Sequence, residues 1–156
     1  MILGIKGEYT VKLIMQNMFN TYELTMKEHN IVTDAGVELI FKCATNTNGE
    51  EYFGDIYVGE NDTDPHTTDT IDIFINPVPI SQQTTPIIED NTITYDIVCD
   101  GGLLDGTCEI GVWSNTTETL ISRSKHDTYS IPSSTLINLK YTFTIKNIEE
   151  TTEEND

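Results

Sequence analysis

The stretch Ile137-Asn138-Leu139-Lys140-Tyr141-Thr142-Phe143-Thr144-Ile145-Lys146 alternates apolar and polar residues without a break. Successive side chains of a strand point to opposite faces, so this strand has one apolar face and one polar face. It lies over a core and shows its back to water, as strands of antiparallel sheets do.

The neighbouring segments follow the same logic. In Cys108-Glu109-Ile110-Gly111-Val112-Trp113-Ser114, Cys108, Ile110 and Val112 share one face, with Glu109, Gly111 and Trp113 on the other. Asn115-Thr116-Thr117-Glu118 turns the chain into Leu120-Ile121-Ser122-Arg123, and Tyr129-Ser130-Ile131 reads as a further strand before the turn formers Pro132-Ser133-Ser134. Upstream, Ile93, Tyr95 and Ile97 alternate with polar residues, and Asp100–Gly106 is a turn-rich crossing. Ile71, Ile73 and Ile75 alternate with Asp72 and Phe74, which predicts a strand stopped by Asn76-Pro77. The segment Pro77–Pro86 holds three prolines. Proline has no N–H and is excluded from central strands, so this is an extended connection or an edge. Asp55–Gly59 is a short strand that opens onto the polar loop Glu60–Asp69.

One helix stands out, within Ile31–Ala44. Thr33 or Asp34 can cap it, and Val37, Ile40, Phe41 and Ala44 fall on one helical face. Gly36 costs about 1 kcal/mol against Ala and points to a close passage over a strand. The helix runs out in Thr45-Asn46-Thr47-Asn48-Gly49. Before it, Tyr22, Leu24 and Met26 alternate as a half-buried strand closed by Glu28-His29-Asn30, and Tyr9–Leu13 alternates likewise. Ile14–Asn20 has no clear period, and reads either as more strand and a turn or as an arm onto another subunit.

Together these segments predict a mainly β protein, a β-sandwich of about seven or eight strands with one short α-helix in the N-terminal third. Residues 1–20 are read as an N-terminal strand or arm, 21–148 as the sandwich domain, and 149–156 as an acidic flexible tail.

With 156 residues the chain is long enough for a core. Its 8 basic and 26 acidic residues give a net charge of −18, which disfavours nucleic acid and anionic membranes as partners. No segment has the roughly 20 apolar residues of a membrane span, and Met1–Lys6 lacks the pattern of a signal peptide. Cys43, Cys99 and Cys108 make an odd count. Cys99 and Cys108 can pair if their strands are neighbours; the alternative is two buried free thiols. No CxxC or CxxH spacing suggests zinc.

The residues offer little chemistry. His29, His66 and His126 sit singly in or beside loops, and no nucleophile elbow, zinc-protease or phosphate-loop motif occurs. Asp62, Asp64 and Asp69 are hard oxygen donors of the kind calcium prefers, but without the EF-hand glycine and closing glutamate; an acidic surface loop is the plainer reading. Asn61-Asp62-Thr63 and Asn115-Thr116-Thr117 are formal glycosylation sequons. Glu109 is the carboxylate inside a strong strand, read as exposed or as hydrogen-bonded at an interface. Trp113 and Tyr95 could build a sugar-stacking platform; burial of Trp113 in a sheet or subunit contact is the plainer reading. No catalytic, cofactor-binding or metal residue is assigned.

Five segments occur in a suggestive order: Asn30-Ile31-Val32-Thr33-Asp34-Ala35-Gly36, Ile56-Tyr57-Val58-Gly59, Asp69-Thr70-Ile71, Glu109-Ile110-Gly111-Val112-Trp113 and Leu120-Ile121-Ser122-Arg123. The chain resembles, over roughly residues 28–146, small structural virion proteins of tailed phages and archaeal tailed viruses, of the neck, collar and tail-fibre-attachment type. The resemblance implies a non-enzymatic virion component, made in the host cytoplasm. It would assemble as a homo-oligomer and with other virion proteins, and would not be expected to take a small-molecule substrate. Gly36, Gly59 and Gly111 would then serve close backbone approach, and Trp113 packing. A second reading is a carbohydrate-binding or adhesin-like module, with calcium in the Asp62–Asp69 loop.

Overall fold

The computed structural model describes residues 3–16, 21–45, 54–80, 86–89, 92–131 and 135–147, with the backbone alone for 3–16, 21–30, 41–45, 88 and 145–147. The chain is mainly β, with strands β1 (Leu3–Gln16), β2 (Thr21–Val32), β3 (Asp55–Gly59), β4 (Val78–Pro79), β5 (Ile87–Glu89), β6 (Thr92–Asp100), β7 (Glu109–Ser114), β8 (Thr119–Lys125) and β9 (Leu136–Asn147). One helix, α1 (Asp34–Thr45), follows β2. All described pairings are antiparallel, in the order β4-β3-β7-β8-β2-β1-β9-β6-β5.

The long β2 belongs to two sheets. Its first part pairs with β1, and its last residues Ile31 and Val32 pair with Arg123 and Ser122 of β8. One sheet is therefore β2-β1-β9-β6-β5 and the other β4-β3-β7-β8 with the end of β2. Their facing sides form the core. Ile137, Leu139, Tyr141 and Phe143 of β9 are wholly buried, as are Tyr95 of β6, Ile56 and Val58 of β3, and Ile110 and Val112 of β7. The Ser122 and Tyr141 hydroxyls join the sheets across this core at 2.5 Å, so that two polar groups in an apolar layer satisfy each other.

The helix is seated by a bulge. Val112 pairs with Ser122 but Trp113 pairs with Leu120, which leaves Ile121 as the extra residue of β8. The Ile121 carbonyl accepts the Thr33 N–H at 2.9 Å. The Thr33 side chain donates to the Leu120 carbonyl and accepts the Gly36 N–H at 2.9 Å, so Thr33 is the cap. A Cβ on Gly36 would lie 2.3 Å from the Ile121 oxygen, and that is the close passage its sequence position suggested.

Several local expectations change. Ile31 and Val32 extend β2 rather than opening the helix. Ile71–Ile73 is a turn of 3-10 helix, not a strand, because Phe74 is the buried residue there and Ile75 is half exposed. Tyr129–Ile131 joins no strand; Gly106 donates to the Tyr129 carbonyl, Tyr129 to that of Thr107, and Ile131 to the Asp105 carboxylate. The proline segment does form an edge, β4, with Pro79 opposite Tyr57. β1 lies between β2 and β9. The runs Asn46–Gly49 and Pro132–Ser134, residues 17–20 and the tail 149–156 lie outside the described residues.

Candidate functional site

The described polar groups converge on the outer face of β3, β7 and β8, the side away from the core. Glu109, Gly111 and Trp113 of β7 share this face with Tyr57 and Gly59 of β3 and with Arg123 and Lys125 of β8. The segment Glu60–Ile75 crosses over it as a loop with joined ends: the Glu60 N–H donates to the Ile75 carbonyl at 2.9 Å. A compact loop with adjoining ends is an Ω-loop.

Beneath it lies an ionic clamp. Arg123 Nε donates to Glu109 Oε1 at 2.9 Å, and both side chains are wholly buried. Glu109 Oε2 accepts the Asn61 N–H at 2.6 Å and the Ile75 N–H at 3.2 Å, one at each end of the loop. Arg123 also donates to the Asn61 carbonyl at 3.2 Å and to Asp69 Oδ2 at 3.3 Å. The Asn61 amide donates to the Ile73 carbonyl and accepts from the Thr63 N–H. Two buried charges are tolerable only when paired and hydrogen-bonded, and here each has several partners.

Two glycines make room for the clamp. A Cβ on Gly59 would meet Glu109 Oε2 at 2.6 Å, and one on Gly111 would meet the Ser122 carbonyl at 2.4 Å and the Phe74 ring at 2.8 Å. Phe74 thus lies over Gly111, edge-on to Trp113, which stacks on Tyr57 with ring centroids 3.9 Å apart. The loop also reaches the helix, where the Asp34 N–H donates to the Thr67 carbonyl at 2.9 Å.

The sequence candidates divide. Glu109 is wholly buried rather than exposed, and its partner is Arg123 within the chain. Tyr95 is in the core and Trp113 is half-buried on the outer face of the other sheet, so they form no common platform. Asp64 is bound by Lys125 at 2.7 Å, a hydrogen bond and charge that lower its carboxyl below the usual range. Asp69 is taken by Arg123 and the His66 N–H, while Asp62 is exposed, so the three aspartates do not converge. Among the described residues no three His, Cys, Asp or Glu side chains form a metal-binding group. His126 stacks on Tyr129 at 3.8 Å, His66 is exposed, and only the backbone of His29 is described. Cys99 and Cys108 are free and buried rather than paired; burial pushes both thiols up, Cys99 to about 11. Asn61 is buried with its amide engaged, which removes it as a glycosylation acceptor.

Each Glu109 oxygen is occupied by donors, so neither is presented to a substrate. The clamp fixes the loop while leaving Glu60, Asp62, Asp64 and Asp72 on its exposed side. No family model, no curated protein and no solved structure matches the chain. Among the described residues no helix is long and apolar enough to cross a membrane.

Proposed function

We propose that the chain is a structural subunit of a tailed-virus particle, at the neck, collar or tail, which assembles with copies of itself and docks other virion proteins. One observation supports this above others: the five segments that carry the resemblance meet in a single unit. Gly36 packs on Ile121, Gly59 lies against Glu109, and Arg123 binds both Glu109 and Asp69. The motif residues thus describe a rigid scaffold that holds a surface loop, and a building block needs such a scaffold more than a reactive centre.

The reading makes the chain a stoichiometric part of a particle. Quantitative mass spectrometry of purified particles from the virus that encodes it is the test. A fixed copy number that matches a ring or fibre base is expected. A chain missing from particles, or encoded away from any portal, tail-tube or baseplate gene, would overturn it.

A further inference from the structure

The chain's few cations are not scattered. Of the eight basic residues, Arg123 is in the clamp, Lys125 is held by Asp64 and Lys42 lies in α1. The other five, Lys6, Lys12, Lys27, Lys140 and Lys146, fall on the adjacent strands β2, β1 and β9. The register pairs Lys27 with Thr10 and Thr10 with Lys140, Lys12 with Asn138, Lys6 with Thr144, and Gly4 with Lys146. Paired residues share a face, as do positions two apart along a strand, so all five belong to the face of Lys140. That is the outer face, since Lys140 is exposed and Leu139 and Tyr141 on either side of it are wholly buried. The same face of these strands carries two acids, Glu8 and Glu23, out of the 26 in the chain. It turns acidic at its β6 edge, where Asp96 stands opposite Lys140 and Asp100 and, on β5, Glu89 are exposed.

The Ω-loop lies on the other outer face of the sandwich, with Glu60, Asp62, Asp64 and Asp72 exposed and the clamp beneath. One copy cannot bring its lysine face against its own loop, because the two sheets lie between them. A second copy can. We infer that the lysine face of β2-β1-β9 docks the acidic Glu60–Asp72 loop of a second copy of this chain, head to tail. Two different patches in contact make a heterologous interface, which closes into a ring or grows as a filament. The inference rests on the self-assembly in the reading above and names its surfaces.

Net charge sets the conditions. Two copies at −18 repel at long range. At about 0.1 M salt the screening length is about 10 Å, which mutes distant charges and spares a local contact; at 1 M it is about 3 Å, which weakens the contact too.

Sedimentation velocity on the full chain across this salt range is the test. Association that peaks near the middle and falls at both ends is expected. Lys12→Glu with Lys140→Glu should weaken it at least tenfold, Asp62→Lys with Asp72→Lys should do the same, and mixing the two variants should restore it. Lys140→Glu alone, at an exposed position, serves if the double variant does not fold. Association indifferent to salt and to these reversals overturns this interface and leaves the building-block reading standing. A monomer under all conditions overturns the interface, as does binding of duplex DNA through Lys140 without self-association. Charge-driven oligomers of a chain missing from purified particles would keep the interface and remove the virion reading.

Discussion

Arg123 Nε stands 2.9 Å from Glu109 Oε1, and neither side chain touches solvent. Removing one member of a buried pair strands the other charge without its partner, at a cost of about 3–5 kcal/mol. Arg123→Met is therefore expected to lose that much in urea unfolding. Replacing both, Glu109→Leu with Arg123→Met, should cost less than the two single changes together. It should still cost something, because the Asn61 and Ile75 N–H groups lose their acceptor, at about 1–3 kcal/mol for each left buried. A double variant as stable as the parent would mean that the loop does not depend on the clamp.

The glycines should not be equivalent. A Cβ on Gly54 would come within 1.1 Å of the Trp113 carbonyl oxygen, and on Gly111 within 2.4 Å of that of Ser122, both backbone atoms. Overpacking of this kind costs about 1–3 kcal/mol or more, so Gly54→Ala and Gly111→Ala should each lower the melting temperature. Gly102→Ala meets the Asp100 carboxylate at 3.3 Å and little else, and should be nearly silent. Differential scanning fluorimetry of the three variants ranks them.

How much of this the sequence shows depends on what each residue packs against. The alternation of β9 and β6 is legible because one face of each lies on the core. Ile71–Ile75 has the same alternation and is not a strand, since its backbone groups are taken by Asn61 and Glu109, residues far from it in the chain. The clamp was hidden by one residue. Counted back regularly from the Ser114–Thr119 pairing, Arg123 would stand opposite Ile110 and face the core. The bulge at Ile121 slips the register by one, which flips every later side chain and sets Arg123 opposite Gly111, beside Glu109. Nothing local marks that bulge; its extra residue, Ile121, is the one that Thr33 and Gly36 meet at the start of the helix.

The buried thiol of Cys99 gives a sign that can be checked. Its folded value, about 11, lies above the ordinary 9.0 because burial disfavours the thiolate. Between those values the unfolded chain gives up the proton and the folded chain keeps it. The stability tied to the neutral thiol is thus full below about pH 9 and is lost as pH rises toward the folded value. Chemical denaturation at pH 8 and pH 10.5 should show a larger alkaline loss in the parent than in Cys99→Ala. An equal loss in both would assign the decline to other groups.

Thr33 joins three parts of the structure. Its hydroxyl accepts the Gly36 N–H, its side chain donates to Leu120, and its N–H donates to Ile121, while the next residue's N–H holds Thr67 of the loop. Loss of a cap alone costs about 0.5–2 kcal/mol. Thr33→Val removes the cap and also the hydroxyl's hydrogen bond to the Leu120 carbonyl, so a loss at the upper end of that range or beyond is expected. Thr33→Ser keeps both hydroxyl bonds and should restore most of it. Hydrogen exchange separates the two consequences. If the helix start and the loop are coupled through this residue, Thr33→Val should speed exchange at the Asp34 and Gly36 amides and at the Asn61 and Ile75 amides of the clamp. Faster exchange confined to the helix would mean that the clamp holds the loop by itself.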